Sequence, residues 1–231
     1  MDSNNKSFQK QSFNEQHCFR LIPSKYPPIN LYEDVCDPEQ LDAIFAIEAI
    51  TNPRLSEETG DFSRIPVEER LVGIPHCSYV MAAFTHVNPD GARFNTADFG
   101  AYYAAPDINT AIKETVHHME RVMGYTKEPA QDIQMRCIDA WFTAELTDLR
   151  QQDALDSGLY HPTNYVQSQA LACSLKQNKE DGVVYQSVRH QGHDCYALLK
   201  PNLVGKVCQS KHFTYKWNGA SVNSVLEISL V

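Results

Sequence analysis

Positive charge is scarce in this sequence: 20 lysines and arginines stand against 29 aspartates and glutamates, a formal net charge of -9. Lysine- or arginine-rich blocks are missing, whereas a reader of phosphate backbones carries a basic stripe. Direct nucleic-acid binding is therefore not expected. Apolar runs of membrane-spanning length are also missing, and residues 1–16 are polar with no signal-peptide core. These absences predict a cytoplasmic protein without a membrane partner. The seven cysteines are odd in number and contain no Cys-x-x-Cys pair, which argues against a disulfide framework and a structural zinc site. His190, His193 and Cys195 lie close in sequence, but no carboxylate triad accompanies them and no metal is expected. Gly-x-Gly-x-x-Gly, a phosphate-loop Gly-Lys-Ser/Thr and Gly-x-Ser-x-Gly are all absent, so dinucleotide folds of the Rossmann type, P-loop enzymes and nucleophile-elbow hydrolases lack support.

What is present suits one domain: 231 residues, 42% of them hydrophobic. Residues 1–16 read as a flexible lead and 17–231 as the domain. A short strand is expected over His17–Ile22, with Arg20 on one face, either an edge arginine in solvent or an anion ligand. Asp37-Pro38-Glu39 starts a helix whose buried face is Leu41, Ile44 and Phe45. Residues 51–69 read as a polar connection and Val80–Val87 as a strand. Strand patterns follow over Met135–Leu146, Val183–Arg189, Cys195–Leu199, Val204–Val207, Lys211–Trp217 and Val225–Val231. Val166–Lys179 reads as a helix. Strict strand–helix alternation is missing, so the expectation is an α+β domain, a mixed sheet with flanking helices, rather than a doubly wound parallel sheet.

The stretch from Gly91 to Arg121 gathers the chemistry. Asn88-Pro89-Asp90-Gly91 is a turn signal and delivers the chain into Ala92-Arg93-Phe94-Asn95. An aromatic run ending in Tyr102 and Tyr103 comes next, then a helix over about 110–123 with Asp107 or Asn109 as N-cap. Ile112, Val116 and Met119 form its apolar stripe, while Ala111, Glu114, Thr115 and His118 share a neighbouring face. A glutamate can hydrogen-bond a ribose hydroxyl and stabilise a developing oxocarbenium ion. Arginines hold pyrophosphate by bidentate contacts, and a tyrosine face stacks on an aromatic leaving group. Such a set would cleave the N-glycosidic bond of a dinucleotide without a metal. A solvated glutamate and an ordinary arginine fit the same residues.

Phe19-Arg20, Gly-Ala-Arg-Phe-Asn at 91–95, Tyr103 eleven residues before Glu114, and Gly-Val-Val-Tyr-Gln-Ser-Val-Arg at 182–189 together resemble the RES domain family, toxins of Xre-RES toxin–antitoxin pairs. The likeness runs from about Cys18 onward. Two departures stand out: the family's common Gly-Gly-Arg-Trp-Asn is Gly-Ala-Arg-Phe-Asn here, and its Tyr-Pro-Ser is Tyr-Gln-Ser. The resemblance implies a core similar to the ADP-ribosyltransferase fold, NAD+ as substrate and an Xre-type antitoxin as partner. Carried over by position, Arg20 and Arg93 would grip the phosphates or orient the ribose, Tyr103 would stack on nicotinamide, and Glu114 would stabilise the ribosyl cation. Ser187 would be the family serine, with Ser168 as the alternative, and Arg189 and His190 would line the same cleft. Three activities fit: NAD+ cleavage by water or phosphate, mono-ADP-ribosyl transfer to a protein, and a non-catalytic binding module.

Overall fold

The computed structural model describes residues 8–26, 30–35, 37–51, 55–155 and 157–229. In chain order they form β1 (Lys10–Pro23), α1 (Asn30–Asp34), α2 (Leu41–Thr51), α3 (Leu55–Thr59), α4 (Cys77–Thr85), β2 (Tyr102–Ala104) and α5 (Ile108–Thr126). There follow β3 (Gln131–Asp148), α6 (Gln152–Leu155), α7 (Val166–Gln177), β4 (Gly182–Gln186), β5 (Asp194–Leu198), β6 (Val204–Trp217) and β7 (Val222–Ile228). The strands make one seven-stranded sheet in the order β2-β5-β4-β3-β6-β7, with β1 paired to β3. β3 and β4 run parallel, and the other named pairs are antiparallel. A further antiparallel pair, Phe19 with Ala105, ties β1 to the end of β2, so β3, β4, β5, β2 and β1 form a closed circuit of pairings. The architecture is the α+β mixed sheet with flanking helices expected from the sequence.

Both faces of this sheet are buried, and β3 supplies both. Its side chains alternate with the period of two that a strand imposes. Ile138, Ala140, Phe142, Ala144 and Leu146 join one core with Val80, Met81 and Phe84 of α4 and with Tyr102 and Leu198. Met135 and Cys137 join the other with Ala111 of α5, Ala172 and Leu175 of α7, Phe94 and Tyr185. A side chain of this size fully buried contributes about 1.5–3 kcal/mol, so the helices are held chiefly by these apolar contacts.

Several boundaries differ from the expectation. Residues 10–16 are strand rather than flexible lead: Lys10 to Phe13 pair with Thr147 to Ala144 of β3. Residues 1–7 of that lead lie outside the described residues. Val80–Val87, expected as a strand, is helix α4 through Thr85, and Cys77, Ser78, Tyr79, Val80, Met81, Phe84 and Thr85 are all buried in it. The two strands expected over 204–217 are one, β6, whose pairing with β3 shifts register at two places. β4 stops at Gln186, which leaves Ser187 in the turn that follows rather than on the strand. The last strand is β7 and ends at Ile228. Asp37 accepts from Glu39 N (3.0 Å) and opens a short 3-10 turn into α2; Leu41 is fully buried there, with Ile44 and Phe45 packed beside it.

Candidate active site

The turn before Arg93 has little freedom. Asn88 O accepts from Gly91 N at 2.8 Å, and the Asn88 side chain accepts from Asp90 N at 2.9 Å. Gly91 sits at φ +67°, and a Cβ there would lie 2.3 Å from Asn95 O, so only glycine fits. Tyr103 fastens the far side of the loop: its hydroxyl accepts from Phe94 N and donates to Asn95 Oδ1, both at 2.8 Å. Burial pushes the Tyr103 phenol well above its ordinary pKa, so it stays a neutral donor. Arg93 is buried. Its Nη1 donates to Leu159 O (2.8 Å) and His161 O (3.0 Å), and its guanidinium lies 4.7 Å from the centre of the Tyr165 ring.

Arg20 approaches from β1. Its Nη1 donates to Tyr103 O at 2.8 Å and its guanidinium lies over the Tyr102 ring. Its Nε is buried without an acceptor among the described residues. Burial pulls this guanidinium below its ordinary pKa. His118, exposed on the face of α5 that carries Glu114, is also held below its ordinary value, by partial desolvation and by Arg121 and Arg20.

α5 runs Ile108–Thr126, a little longer at both ends than the expected 110–123. Asp107 is the N-cap and accepts from Thr110 N at 2.9 Å. Glu114 lies two turns on and meets the turn after β4. The Ser187 hydroxyl accepts from His190 N (2.8 Å) and Arg189 N (3.1 Å). Those two donors fill its lone pairs, and its one proton goes to Glu114 Oε1 at 2.5 Å. The thiol of Cys195 points at the same oxygen, 3.9 Å away. Both donors engage Oε1; no described residue donates to Oε2. Arg189 in turn donates from Nη2 to Pro162 O (2.7 Å), next to the carbonyl that Arg93 holds. The two arginines thus grip one loop, 159–162, from either side.

Ser168, the alternative serine, makes a different contact: it is buried at the start of α7, and its hydroxyl donates to Tyr165 O at 3.0 Å. His190 and His193 stack at 3.6 Å between ring centres, nearly parallel. Their third neighbour is Asp107 rather than Cys195. Parallel stacked rings direct their in-plane lone pairs side by side rather than at one point, and His190 Nδ1 is already engaged with Thr110. Cys195 is buried and its thiol pKa is raised, so it belongs to the core. Sequence reasoning missed Thr110, Tyr165 and the loop carbonyls of 159–162. Thr110 carried a signal, standing three residues after a capping aspartate. The carbonyls carried none, since main-chain acceptors have no residue identity.

These features define a single-domain α+β protein in which a serine hydroxyl holds the Glu114 carboxylate, Arg93 is buried and Arg20 is half-buried. The chain belongs to the RES domain family, whose model matches residues 70–218. It is similar to the uncharacterized protein y4oC of Sinorhizobium fredii, 27% identical over 205 residues, which cover 89% of this chain and 84% of that protein. Among solved structures it is similar to a chain in the crystal structure of the M. tuberculosis MbcT-MbcA toxin–antitoxin complex. That match has a TM-score of 0.45 and 12% identity over 87% of this chain and 85% of the other. Among the described residues, no helix is long and apolar enough to cross a membrane.

Proposed function

We propose that this chain is an NAD+-consuming toxin that breaks the nicotinamide–ribose bond by hydrolysis or phosphorolysis, and that an Xre-type antitoxin restrains it. The observation that carries the reading is the state of Glu114. Its Oε1 is held by Ser187, and Oε2 is left to accept a ribose hydroxyl. A carboxylate so fixed stabilises the oxocarbenium ion as nicotinamide leaves with the bonding electron pair, and no reorganisation is needed at that moment. Arg20 brings a partly desolvated cation suited to the pyrophosphate. Arg93 is more buried and supplies fixed positive potential rather than a mobile clamp. Tyr103 offers its ring to the nicotinamide, with its hydroxyl tied to the Arg93 loop. The family membership supports the choice of NAD+ and of an antitoxin partner.

The test is to mix the purified full chain with NAD+, with and without inorganic phosphate, and to follow nicotinamide and the ribosyl product by chromatography. Free ADP-ribose identifies a glycohydrolase, and a phosphorylated ADP-ribose a phosphorylase. Absence of nicotinamide release in both conditions sinks the reading.

A further inference from the structure

The turn 187–193 meets α5 and its N-cap at three places, one of them His193 Nδ1, 3.3 Å from Asp107 Oδ2. At one end Ser187 meets Glu114. At the other, His190 Nδ1 lies 2.7 Å from Thr110 Oγ1, and Thr110 Oγ1 donates to Asp107 Oδ2 at 2.6 Å. The turn is also closed on itself, with Ser187 N donating to His193 O (2.7 Å) and His193 N to His190 O (3.1 Å).

Proton counting fixes the direction of this chain. An ionised carboxylate only accepts, so the single Thr110 hydroxyl proton goes to Asp107. Asp107 stays ionised: burial raises its pKa, but the Thr110 bonds and His193 outweigh that and leave it below its ordinary value. His190 must then donate from Nδ1, which makes it the Nδ1–H tautomer. Thr110 is fully buried, so water does not compete for its hydroxyl. The consequence reaches Ser187 through the backbone, because His190 N–H is the nearer of the two donors to its oxygen. If the turn swings away, the Ser187 lone pairs lose their donors, and its proton is no longer aimed at Glu114.

We infer that Asp107, Thr110 and His190 are positioning residues: they hold the turn that aims the Ser187 hydroxyl at one oxygen of Glu114 and leaves the other for the ligand. The inference deepens the proposed reaction and rests on it. It assigns part of the Glu114 geometry to the N-cap of its own helix, linked through a turn about 80 residues away.

The experiment compares Thr110→Val, Thr110→Ser, His190→Ala and His190→Asn with the wild-type full chain. Valine keeps the shape of threonine without the hydroxyl, and asparagine keeps a donor near the Nδ1 position. Loss of one hydrogen bond to a charged network corresponds to about a tenfold change. Thr110→Val and His190→Ala should therefore each lower kcat about tenfold with KM within twofold, and the double variant should lose little more than either alone. Thr110→Ser and His190→Asn should recover most of kcat. Unchanged kcat in both disruptive variants overturns the inference, as does a loss that follows melting temperature and is not recovered by the conservative variants. The second readout is the His190 tautomer by imidazole nitrogen NMR. It should be Nδ1–H in the wild type and shift toward Nε2–H in Thr110→Val; Nε2–H in the wild type overturns the relay. That readout needs no substrate, so failure of NAD+ turnover in the wild type condemns the proposed reaction without being confused with failure of the relay.

Discussion

Glu114→Gln preserves the shape of the side chain and a hydrogen-bond acceptor for Ser187, and replaces the charge and the second acceptor oxygen with an amide NH2. On the proposed reading nicotinamide release should fall by roughly 10²–10³-fold while the melting temperature stays unchanged; retained turnover would refute the role. Arg93 behaves differently, because its Nη1 serves Leu159 O and His161 O inside the fold. Arg93→Met leaves two carbonyls unpaired and should destabilise the protein by roughly 2–3 kcal/mol, lowering Tm by roughly 5–10 °C. A calorimetric scan with an unshifted Tm would mean that the carbonyls find water and that the arginine is not structural. Loss of NAD+ binding in this variant therefore has to be judged beside its stability. At this scale the sequence is legible where the partner is local. An N-cap at Asp107 or Asn109 follows from their position before the apolar stripe, and Asp107 is the one that caps. The Ser187–Glu114 contact does not, since 73 residues separate them and only the turn after β4 brings them together.

Elements were legible where one face is buried and illegible where all are. α5 has a clear stripe, with Ile112, Val116 and Met119 against the core and charges opposite, and the helical period is visible. Most of α4 is buried, and Val80 to Phe84 are apolar at every step, so the run carries no period. Such a run reads equally as a strand. β1 shows a third case. Its first residues are polar because one side faces solvent, and Gln, Ser and Asn there mimic a disordered lead. The ring that betrays order is Phe13, which packs 5.8 Å from Phe142 and 5.3 Å from Tyr196, ring centre to ring centre. Phe13 is half-buried, so Phe13→Ala should cost roughly 2 kcal/mol, less than the 3–5 of a fully buried phenylalanine, measured by urea unfolding. An unchanged midpoint would mean that the first half of β1 does not hold to the sheet.

Charge also joins strands across the sheet, and one such network predicts how the fold responds to acid. Arg150 donates from Nη2 to Asp148 Oδ2 (2.6 Å) at the end of β3 and from Nη1 to Asp194 Oδ2 (2.7 Å) at the start of β5, and it reaches Gln11 of β1. Asp148 is held below its ordinary carboxylate pKa, chiefly by the Arg150 hydrogen bond, which outweighs the opposing effect of burial. A carboxylate whose folded pKa lies below its unfolded value near about 3.9 binds fewer protons in the folded state. Its stabilisation is therefore complete above that unfolded value and is lost as pH falls through the folded one. Unfolding free energy should accordingly show little pH dependence from this group between about pH 6 and 8 and a loss beginning near about pH 4. Arg150→Met removes the partner that lowers the Asp148 pKa. The variant should be less stable at neutral pH, by roughly 2 kcal/mol for a partly exposed network, and its stability should fall less steeply below about pH 4. Urea unfolding of both proteins across this range gives the two curves. Parallel curves would mean that Arg150 does not set the ionisation of Asp148, and that the acid sensitivity of the sheet arises at other carboxylates.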